Sequence, residues 1–261
     1  MELSHQLIPQ LKHLRLSGIL DTLERRQQEA IQSRCSYTDF LQRLLEDEVE
    51  RRAQKQLGQR LRRAGLNATK TLETFDFGYN ASINRQQILH LAEGDYIRQH
   101  HNVILCGPTG TGKSHLAQAL GQEACRKGFN VLWVAVDQML KHLHGGRADG
   151  SWERRLQTYM RPEVLILDDF GLKPLAPPAP EDLYDVINQR YEKASIILTS
   201  NRAPAEWVEL FGDPLLASAG LDRLAHRAEI VLIRGTSYRA KDRKKLEKEL
   251  LAAAPKGRQE T

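Results

Sequence analysis

The chain has 261 residues, of which 41% are hydrophobic and 27% charged, so it can bury a full core and is neither a disordered tail nor a small disulfide-stabilised domain. The net charge of +5 is a mild bias toward polyanions such as DNA. Three cysteines at no metal-ligand spacing favour a reduced, cytoplasmic compartment. No apolar stretch approaches the roughly 20 residues of a membrane span, and no signal core is evident, so we expect neither export nor a membrane partner.

Residues 1–66 are predicted to form a small helical domain for DNA binding or oligomerisation. Leucines recur there at three- and four-residue steps, with charged residues between them. Ser36 and Asp39 have the spacing of a capping box and predict the start of a long helix that ends near Gly65.

The long helix is predicted to carry a basic face. Six residues form it: Arg51, Arg52, Lys55, Arg60, Arg62 and Arg63. Such a face can neutralise the phosphates of duplex DNA without reading sequence. The chain has few aromatic residues for stacking on single strands, so duplex binding is favoured. A solvated charged surface is the equally simple alternative.

The remainder is predicted to be a linker, residues 67–98, that packs on an α/β domain, residues 99–261, with a basic helix from Ser237 to Ala254. Short apolar runs alternate there with helical segments, which is typical of a buried parallel sheet with helices on both faces. The runs are Val103–Cys106, Val131–Val136, Val164–Leu167, Ile196–Leu198 and Ile230–Ile233.

The segment from Gly107 to Ser114 matches the phosphate-binding pattern G-x-x-x-x-G-K-S/T between a predicted strand and a predicted helix. Its glycines let backbone N–H groups surround the phosphates of ATP at a helix N-terminus. Lys113 is expected to reach the β- and γ-phosphates, and the Ser114 hydroxyl to bind Mg²⁺. The expected ATP-binding residues of this loop are Gly107, Pro108, Thr109, Gly110, Thr111, Gly112, Lys113, Ser114 and His115.

Polar residues follow two further strands at the carboxyl edge of the predicted sheet, where open α/β sheets bind ligands. Asp168 is the expected second Mg²⁺ ligand, and Asp169 is the candidate general base or water-positioning group. Asn201 follows the next strand and is suited to sense the γ-phosphate. Capping of a helix that begins near Pro204 is an alternative role for this asparagine.

With these elements in order, the chain resembles the DnaC/IstB branch of the AAA+ ATPases, and within it the IstB family of insertion-sequence helper ATPases. The resemblance runs nearly end to end. It is carried by Leu16–Leu23, Phe75–Phe77, Cys106–Leu116, Leu167–Gly171, Leu198–Asn201 and Leu221–Arg227.

The resemblance implies roles for residues outside the phosphate loop. Arg223, with or without Arg227, would be an arginine finger that enters the ATP site of a neighbouring subunit. Phe75 would lie against the adenine, and Arg239 would occupy the sensor-II position. The chain is too short after its last predicted strand for a helical lid domain, so none is expected.

The resemblance further implies a Mg²⁺-dependent ATPase that forms homo-oligomers on duplex DNA in a bacterial cytoplasm, remodels that DNA, and recruits and stimulates a partner transposase. A DnaC-like loader of a replicative helicase is the alternative, since it would use the same ATPase domain. A P-loop kinase is disfavoured by the Asp168–Asp169 pair and by Asn201.

Overall fold

The computed structural model describes residues 2–238 and 240, and the chain divides into two compact units between Arg60 and Leu61. The helices and strands, in chain order, are α1 (Glu2–His13), α2 (Ser17–Ser33), α3 (Tyr37–Ala64), α4 (Arg85–Ala92), α5 (Asp95–Arg98), β1 (Val103–Cys106), α6 (Lys113–Arg126), β2 (Val131–Ala135), α7 (Val136–Asp149), α8 (Trp152–Met160), β3 (Val164–Phe170), α9 (Ala179–Arg190), β4 (Ser195–Ser200), a 3-10 helix (Pro204–Glu206), α10 (Val208–Phe211), α11 (Pro214–Ala225) and β5 (Glu229–Leu232).

The N-terminal unit is all helical and packs around a small apolar core. Leu11, Ile19 and Leu44 are buried at its centre. The backbone N–H of Gly18 donates a hydrogen bond of 2.6 Å to the carboxylate of Glu48, which joins the start of α2 to α3. Since a Cβ on Gly18 would lie 2.7 Å from the Cα of Glu48, only glycine allows this close approach of the two helices.

Helix α3 begins and ends where the sequence predicts. Asp39 N–H donates to the Ser36 hydroxyl at 3.1 Å, and Ser36 N–H donates to the Asp39 carboxylate at 3.4 Å, so the capping box is confirmed. The helix ends at Ala64, before Gly65, whose φ is +68°. Only part of the apolar stripe of α3 is buried. Leu44 lies in the core of the N-terminal unit, whereas Leu41, Leu45 and Val49 are about half exposed or more.

The second unit is built on a parallel five-stranded sheet in the order β2-β3-β4-β1-β5. The central strands are apolar and fully buried, as in Val164–Leu167 of β3, because helices cover both faces. Helix α6 packs on strands β1 to β4, and α7 packs on β2 and β3. The predicted fold class is therefore confirmed for the described residues.

The segment predicted as a linker contains two short helices, α4 and α5. The side chain of Asn84 caps α4 by accepting from the N–H groups of Gln86 and Gln87. Before α4, the backbone around Asn67 and Lys70 is held by the side chains of α6, since Gln122 donates to both carbonyls at 2.9 and 2.8 Å. This segment therefore packs directly on the helix that follows the phosphate loop.

Candidate nucleotide-binding site

The phosphate loop lies between the carboxyl end of β1 and the first turn of α6. Gly112, with φ of +98°, is the N-cap of α6, a conformation that side chains with a Cβ rarely adopt. At Gly107 a Cβ would lie 2.1 Å from the carbonyl oxygen of Ile233, so this glycine allows the chain after β5 to pass directly against the loop. The first N–H groups of α6 have no acceptor within the helix, which makes this helix terminus an anion-binding site.

Lys113 and Ser114 begin α6, as the sequence predicts. The Lys113 side chain is 8% exposed, and its Nζ donates to the carbonyl oxygen of Pro108 at 2.8 Å, so it lies back across the loop. Ser114 is half-buried and lines the same cavity. A lysine held over the loop beside a serine hydroxyl is suited to a bound phosphate and its counter-ion.

Asp168 is buried at the carboxyl end of β3. Its Oδ1 accepts a hydrogen bond of 2.5 Å from the Thr199 hydroxyl of β4, and its Oδ2 accepts one of 3.2 Å from Trp133 Nε1 of β2. Each carboxylate oxygen keeps a lone pair for a further ligand. The Asp168 carboxylate and the Ser114 hydroxyl are hard oxygen ligands of the kind that Mg²⁺ takes together with the phosphates of its substrate.

Asp169, the next-to-last residue of β3, has a left-handed conformation, with φ of +60°. This conformation is uncommon for a residue other than glycine, and such residues cluster at functional sites. Its backbone N–H donates to the Thr199 hydroxyl at 2.9 Å. The side chain is exposed and lines the cavity that contains Lys113, so the two acids of β3 have different environments, one buried and one facing the cavity.

A cavity of about 500 Å³ lies beside the phosphate loop. Asp169 and Asn201 line it together with Lys113 and Ser114, so polar residues at or after the ends of three strands meet at one cavity, whereas Asp168 is buried and is not among the lining residues. The alternative role of Asn201 as a helix cap is not observed, because Ala203 is the N-cap of the 3-10 helix that follows.

The segment before α4 forms another wall of the cavity. The Phe75 ring is half-buried, packs edge-on against the His115 ring at 5.1 Å, and would be 2.7 Å from a Cβ on Gly112. His115 Nε2 lies 2.8 Å from the carbonyl oxygen of Thr71. Phe75 therefore lies beside the phosphate loop and lines the cavity, and its contact with an adenine, which the resemblance implies, stays a prediction.

The chain after β5 closes the same side of the cavity. Tyr238 N–H donates to the carbonyl oxygen of Gly110 at 2.9 Å, and the Tyr238 ring packs edge-on against Tyr79 at 4.8 Å. The Tyr79 hydroxyl donates to the carbonyl oxygen of Ser237 at 3.1 Å. Arg239 and the basic helix predicted to continue to Ala254 lie outside the described residues, except for Ser237, Tyr238 and Ala240.

The arginines predicted to act as fingers do not line this cavity in their own chain and lie instead beside the residues that precede β1. Arg223 Nη1 donates to the carbonyl oxygen of Ala219 at 2.9 Å, and its guanidinium lies over the rings of Tyr184 and Tyr191, at 5.6 and 6.0 Å from their centroids. Arg227 is exposed at the end of the same helix, in a left-handed conformation.

The basic residues of α3 have different partners. Arg51 pairs with Asp21, and Arg52 pairs with Glu48 at 2.7 Å, so both are engaged with carboxylates of the N-terminal unit. Arg60 lies 3.4 Å from the side-chain oxygen of Gln56. The other three basic residues of this face, Lys55, Arg62 and Arg63, are exposed.

Sequence reasoning missed several polar contacts of the site. Thr199 lies in the segment Leu198–Asn201 and Trp133 in the run Val131–Val136, but neither was singled out as a site residue, although both hold Asp168. The cation–π contacts of Arg223 were also missed. They are made with the rings of Tyr184, in α9, and Tyr191, directly after α9. The sequence offers one signal, a threonine two residues before Asn201 at the end of a buried strand; that it lies beside the two acids follows from the sheet register, which only the structure gives.

This fold and this loop define a P-loop nucleoside triphosphatase of the AAA+ class. A family model described as "IstB-like ATP binding protein" matches residues 9–246, and the chain therefore belongs to that ATP-binding family. The predicted family is confirmed. Among the residues described, no helix is both long and apolar enough to cross a membrane, and all three cysteines are free.

Relatives with similar sequences come from bacterial insertion sequences. One is a protein of Mycobacterium tuberculosis whose name describes it as an ATP-binding protein in an insertion sequence; it is 42% identical over 234 residues, which are 89% of this chain and 93% of the relative. The corresponding protein of insertion sequence IS21 from Pseudomonas aeruginosa is 39% identical over 92% of this chain and 91% of its own length.

Solved structures with a similar fold include replication initiators. The replication initiator DnaA bound to AMPPCP and single-stranded DNA is 26% identical with a TM-score of 0.54, over 73% of this chain and 58% of that one. AMPPCP-bound DnaA from Aquifex aeolicus is 25% identical with a TM-score of 0.53, over 71% of this chain and 57% of that one. The chain thus spans somewhat more than half the length of these structures.

Proposed function

We propose that the chain hydrolyses ATP with Mg²⁺ in the cavity beside the phosphate loop, and that it does so as the DNA-binding helper ATPase of an insertion sequence. The observation that carries the proposal is the convergence of Lys113, Ser114, Asp169 and Asn201 on one cavity of about 500 Å³. This is the arrangement that phosphoryl transfer to water requires: a phosphate cradle, a metal ligand and a group that orients the attacking water.

In this mechanism the phosphate loop and Lys113 bind the triphosphate. The Lys113 ammonium would leave the carbonyl oxygen of Pro108, 2.8 Å away, for the β- and γ-phosphate oxygens. Its buried position favours a strong interaction, because charges separated from water are screened less.

The two acidic residues of β3, Asp168 and Asp169, would have different roles. Asp168 and Ser114 would hold Mg²⁺, which when bound offsets the negative charge that develops on the phosphate oxygens. Asp169 faces the cavity and would orient the attacking water and accept its proton. Asn201 would donate its amide to the γ-phosphate or the water and so respond to hydrolysis.

The arginine finger would come from a neighbouring subunit. Arg223 is in the last turn of α11, which ends at the amino edge of the sheet, since Asn102, immediately before β1, donates to the carbonyl oxygen of Leu224 at 3.0 Å. Arg223 therefore cannot reach the cavity of its own chain without refolding this region. An active site completed between subunits makes homo-oligomerisation a requirement for turnover.

A role in transposition is supported by the relatives, whose names place them in insertion sequences. We propose that the oligomer binds duplex DNA through basic residues, remodels it and presents it to a partner transposase, which it stimulates. Between Arg51 and Ala64, helix α3 has six basic residues and no acidic one, which supports contact with a phosphate backbone. The alternative of a helicase loader shares the ATPase site but requires a replicative helicase as partner.

The experiment that tests this function measures ATP turnover and particle size with and without a random-sequence duplex, using ATP and a non-hydrolysable analogue. We expect duplex and nucleotide together to assemble a large oligomer and to raise turnover. A protein that stays small and whose turnover ignores the duplex would contradict the helper function. Stimulation by a replicative helicase in place of DNA would favour the loader.

A further inference from the structure

The hydroxyl of Thr199 on β4 lies between the two acidic residues of β3. It donates to Oδ1 of Asp168 at 2.5 Å and accepts from the backbone N–H of Asp169 at 2.9 Å. A threonine hydroxyl has a single hydrogen, and because the amide of Asp169 can only donate to the hydroxyl oxygen, that hydrogen is used in the bond to the Asp168 carboxylate. Thr199 therefore contacts both acids through one oxygen atom.

Burial makes this contact energetically important. Thr199 has no exposed surface, and Asp168 is 3% exposed. A hydrogen bond to a charged group is about twice as strong as a neutral one, and a buried polar group that loses its partner is costly. The short Thr199–Asp168 bond thus determines which way the carboxylate of Asp168 turns.

A second donor holds the other oxygen of the same carboxylate. Trp133 Nε1 of β2 donates to Oδ2 of Asp168 at 3.2 Å. Strand β3 lies between β2 and β4 in the sheet, so Asp168 is held from both neighbouring strands. Rotation of its carboxylate about the Cβ–Cγ bond would break both hydrogen bonds.

The other contact of Thr199 acts on the backbone. Asp169 has φ of +60°, and the register of β3 against β4 shifts between Leu167 and Phe170. The Asp169 N–H therefore has no regular ladder partner at this point and bonds to the Thr199 side chain instead. This bond stabilises the left-handed backbone conformation of Asp169, whose side chain lines the cavity.

We propose that Thr199 and Trp133 are positioning residues for the metal site: they fix the Asp168 carboxylate in the orientation that binds Mg²⁺, and Thr199 also fixes the backbone that presents Asp169. This inference rests on the proposed ATPase function and deepens it. Partners that orient a metal-binding side chain typically contribute 10- to 100-fold to metal affinity or activity.

The test compares Thr199→Val, Thr199→Ser and Trp133→Phe in the full chain. Valine keeps the shape and removes the hydroxyl, serine keeps the hydroxyl, and phenylalanine keeps the ring and removes the donor. Affinity for a non-hydrolysable ATP analogue is measured by calorimetry in EDTA and over a Mg²⁺ titration, with thermal unfolding as the folding control. The difference in tryptophan emission between the wild type and Trp133→Phe during the same titration separates the signal of Trp133 from that of the other two tryptophans.

We expect Thr199→Val to bind the analogue in EDTA as the wild type does, and to need about 10-fold or more Mg²⁺ for half-maximal binding. Thr199→Ser restores the wild-type Mg²⁺ requirement. Trp133→Phe raises the requirement by a smaller factor and removes the emission change caused by Mg²⁺. If Thr199→Val fails to fold, Trp133→Phe decides by itself, and a wild-type Mg²⁺ requirement in that variant then overturns the inference.

A wild-type Mg²⁺ requirement in both Thr199→Val and Trp133→Phe would overturn the inference. Equal losses of analogue affinity in EDTA and in Mg²⁺ would also overturn it, because they indicate a general disturbance of the site. The proposed function fails in a different way: Lys113→Ala would then still bind the analogue and hydrolyse ATP, whatever the Thr199 variants do.

Discussion

Arg223 and Lys113 lie at opposite edges of the same parallel sheet. Asn102 contacts the end of the Arg223 helix just before β1, and the phosphate loop that carries Lys113 begins just after β1. A four-residue strand is about 13 Å long at 3.3 Å per residue, which exceeds the length of an arginine side chain. A finger at Arg223 can therefore serve only the site of another subunit.

This geometry predicts complementation between two inactive variants. Arg223→Ala removes the finger but keeps the nucleotide site, and Asp169→Asn does the reverse, so mixed assemblies contain some interfaces with both residues intact. Each variant alone should lose about 10³-fold or more in turnover, and mixing should restore part of it. Turnover is measured over a series of mixing ratios, in assemblies shown to exchange subunits.

Arg227→Ala, tested in the same mixtures, distinguishes the two candidate arginines. Arg98→Ala is the matched control, since Arg98 is an exposed arginine that pairs with Asp95 at 2.6 Å. Absence of rescue at every ratio would count against a finger supplied by a neighbouring subunit.

Two glycine-to-alanine substitutions should change the stability of the N-terminal unit in opposite directions, because Gly18 lies at the close approach of α2 and α3 and Gly58 does not. A Cβ on Gly18 would lie 2.7 Å from the Cα of Glu48, so Gly18→Ala should lower the free energy of unfolding of the N-terminal unit by about 1–3 kcal/mol. Gly58, in α3, has open space around its Cα, and Gly58→Ala should raise it by up to about 1 kcal/mol.

Urea unfolding followed by circular dichroism, with hydrogen exchange to assign the transition to residues 1–60, measures both free energies. Equal effects of the two substitutions would show that the contact between Gly18 and Glu48 does not limit helix packing.

The ion pair between Arg26 and Asp47 predicts a loss of stability in acid. Hydrogen bonds from the Arg26 guanidinium, at 2.6 and 2.8 Å, lower the pKa of Asp47 from 3.8 to about 2. Ionised Asp47 therefore stabilises the folded unit above pH 4, and this contribution is lost as the pH falls from 4 through 2. Asp47→Asn should remove about 1 kcal/mol at pH 6 and flatten the acid dependence.

Amide hydrogen exchange in α2 and α3, corrected for intrinsic rates, measures this effect between pH 6 and pH 2.5. Glu24→Gln, at an exposed position of α2, should leave the profile unchanged. The same acid dependence in Asp47→Asn as in the wild type would assign the stability change to other carboxylates.

The sequence predicts the nucleotide site because its chemistry is concentrated at strand ends. Buried apolar strands such as Val164–Leu167 identify the sheet, and the residues that follow them identify its functional edge. The capping box of Ser36 and Asp39 predicts the start of α3 for a similar reason, since its hydrogen bonds are local in the chain.

Contacts between distant parts of the chain were not predictable in this way. Periodicity identifies the apolar stripe of α3 but does not tell that Leu44 is buried while Leu45 is 49% exposed. Thr199 and Trp133 reach Asp168 only because the sheet places β4 and β2 beside β3, an order that the sequence does not encode in any motif. The short helix α4 was missed because its eight residues contain less than three turns.

Hydrolysis of ATP by Lys113→Ala, compared with the wild type and with Lys127→Ala, tests the central claim most directly. Lys127 follows α6 at its other end, so it controls for loss of a positive charge on the same helix. Phosphate release is measured in Mg²⁺ with duplex DNA present. We predict that Lys127→Ala turns over as the wild type does and that Lys113→Ala loses at least about 100-fold, because the phosphate charge lacks its partner. Retained turnover in Lys113→Ala would show that the cavity beside the phosphate loop is not the working site.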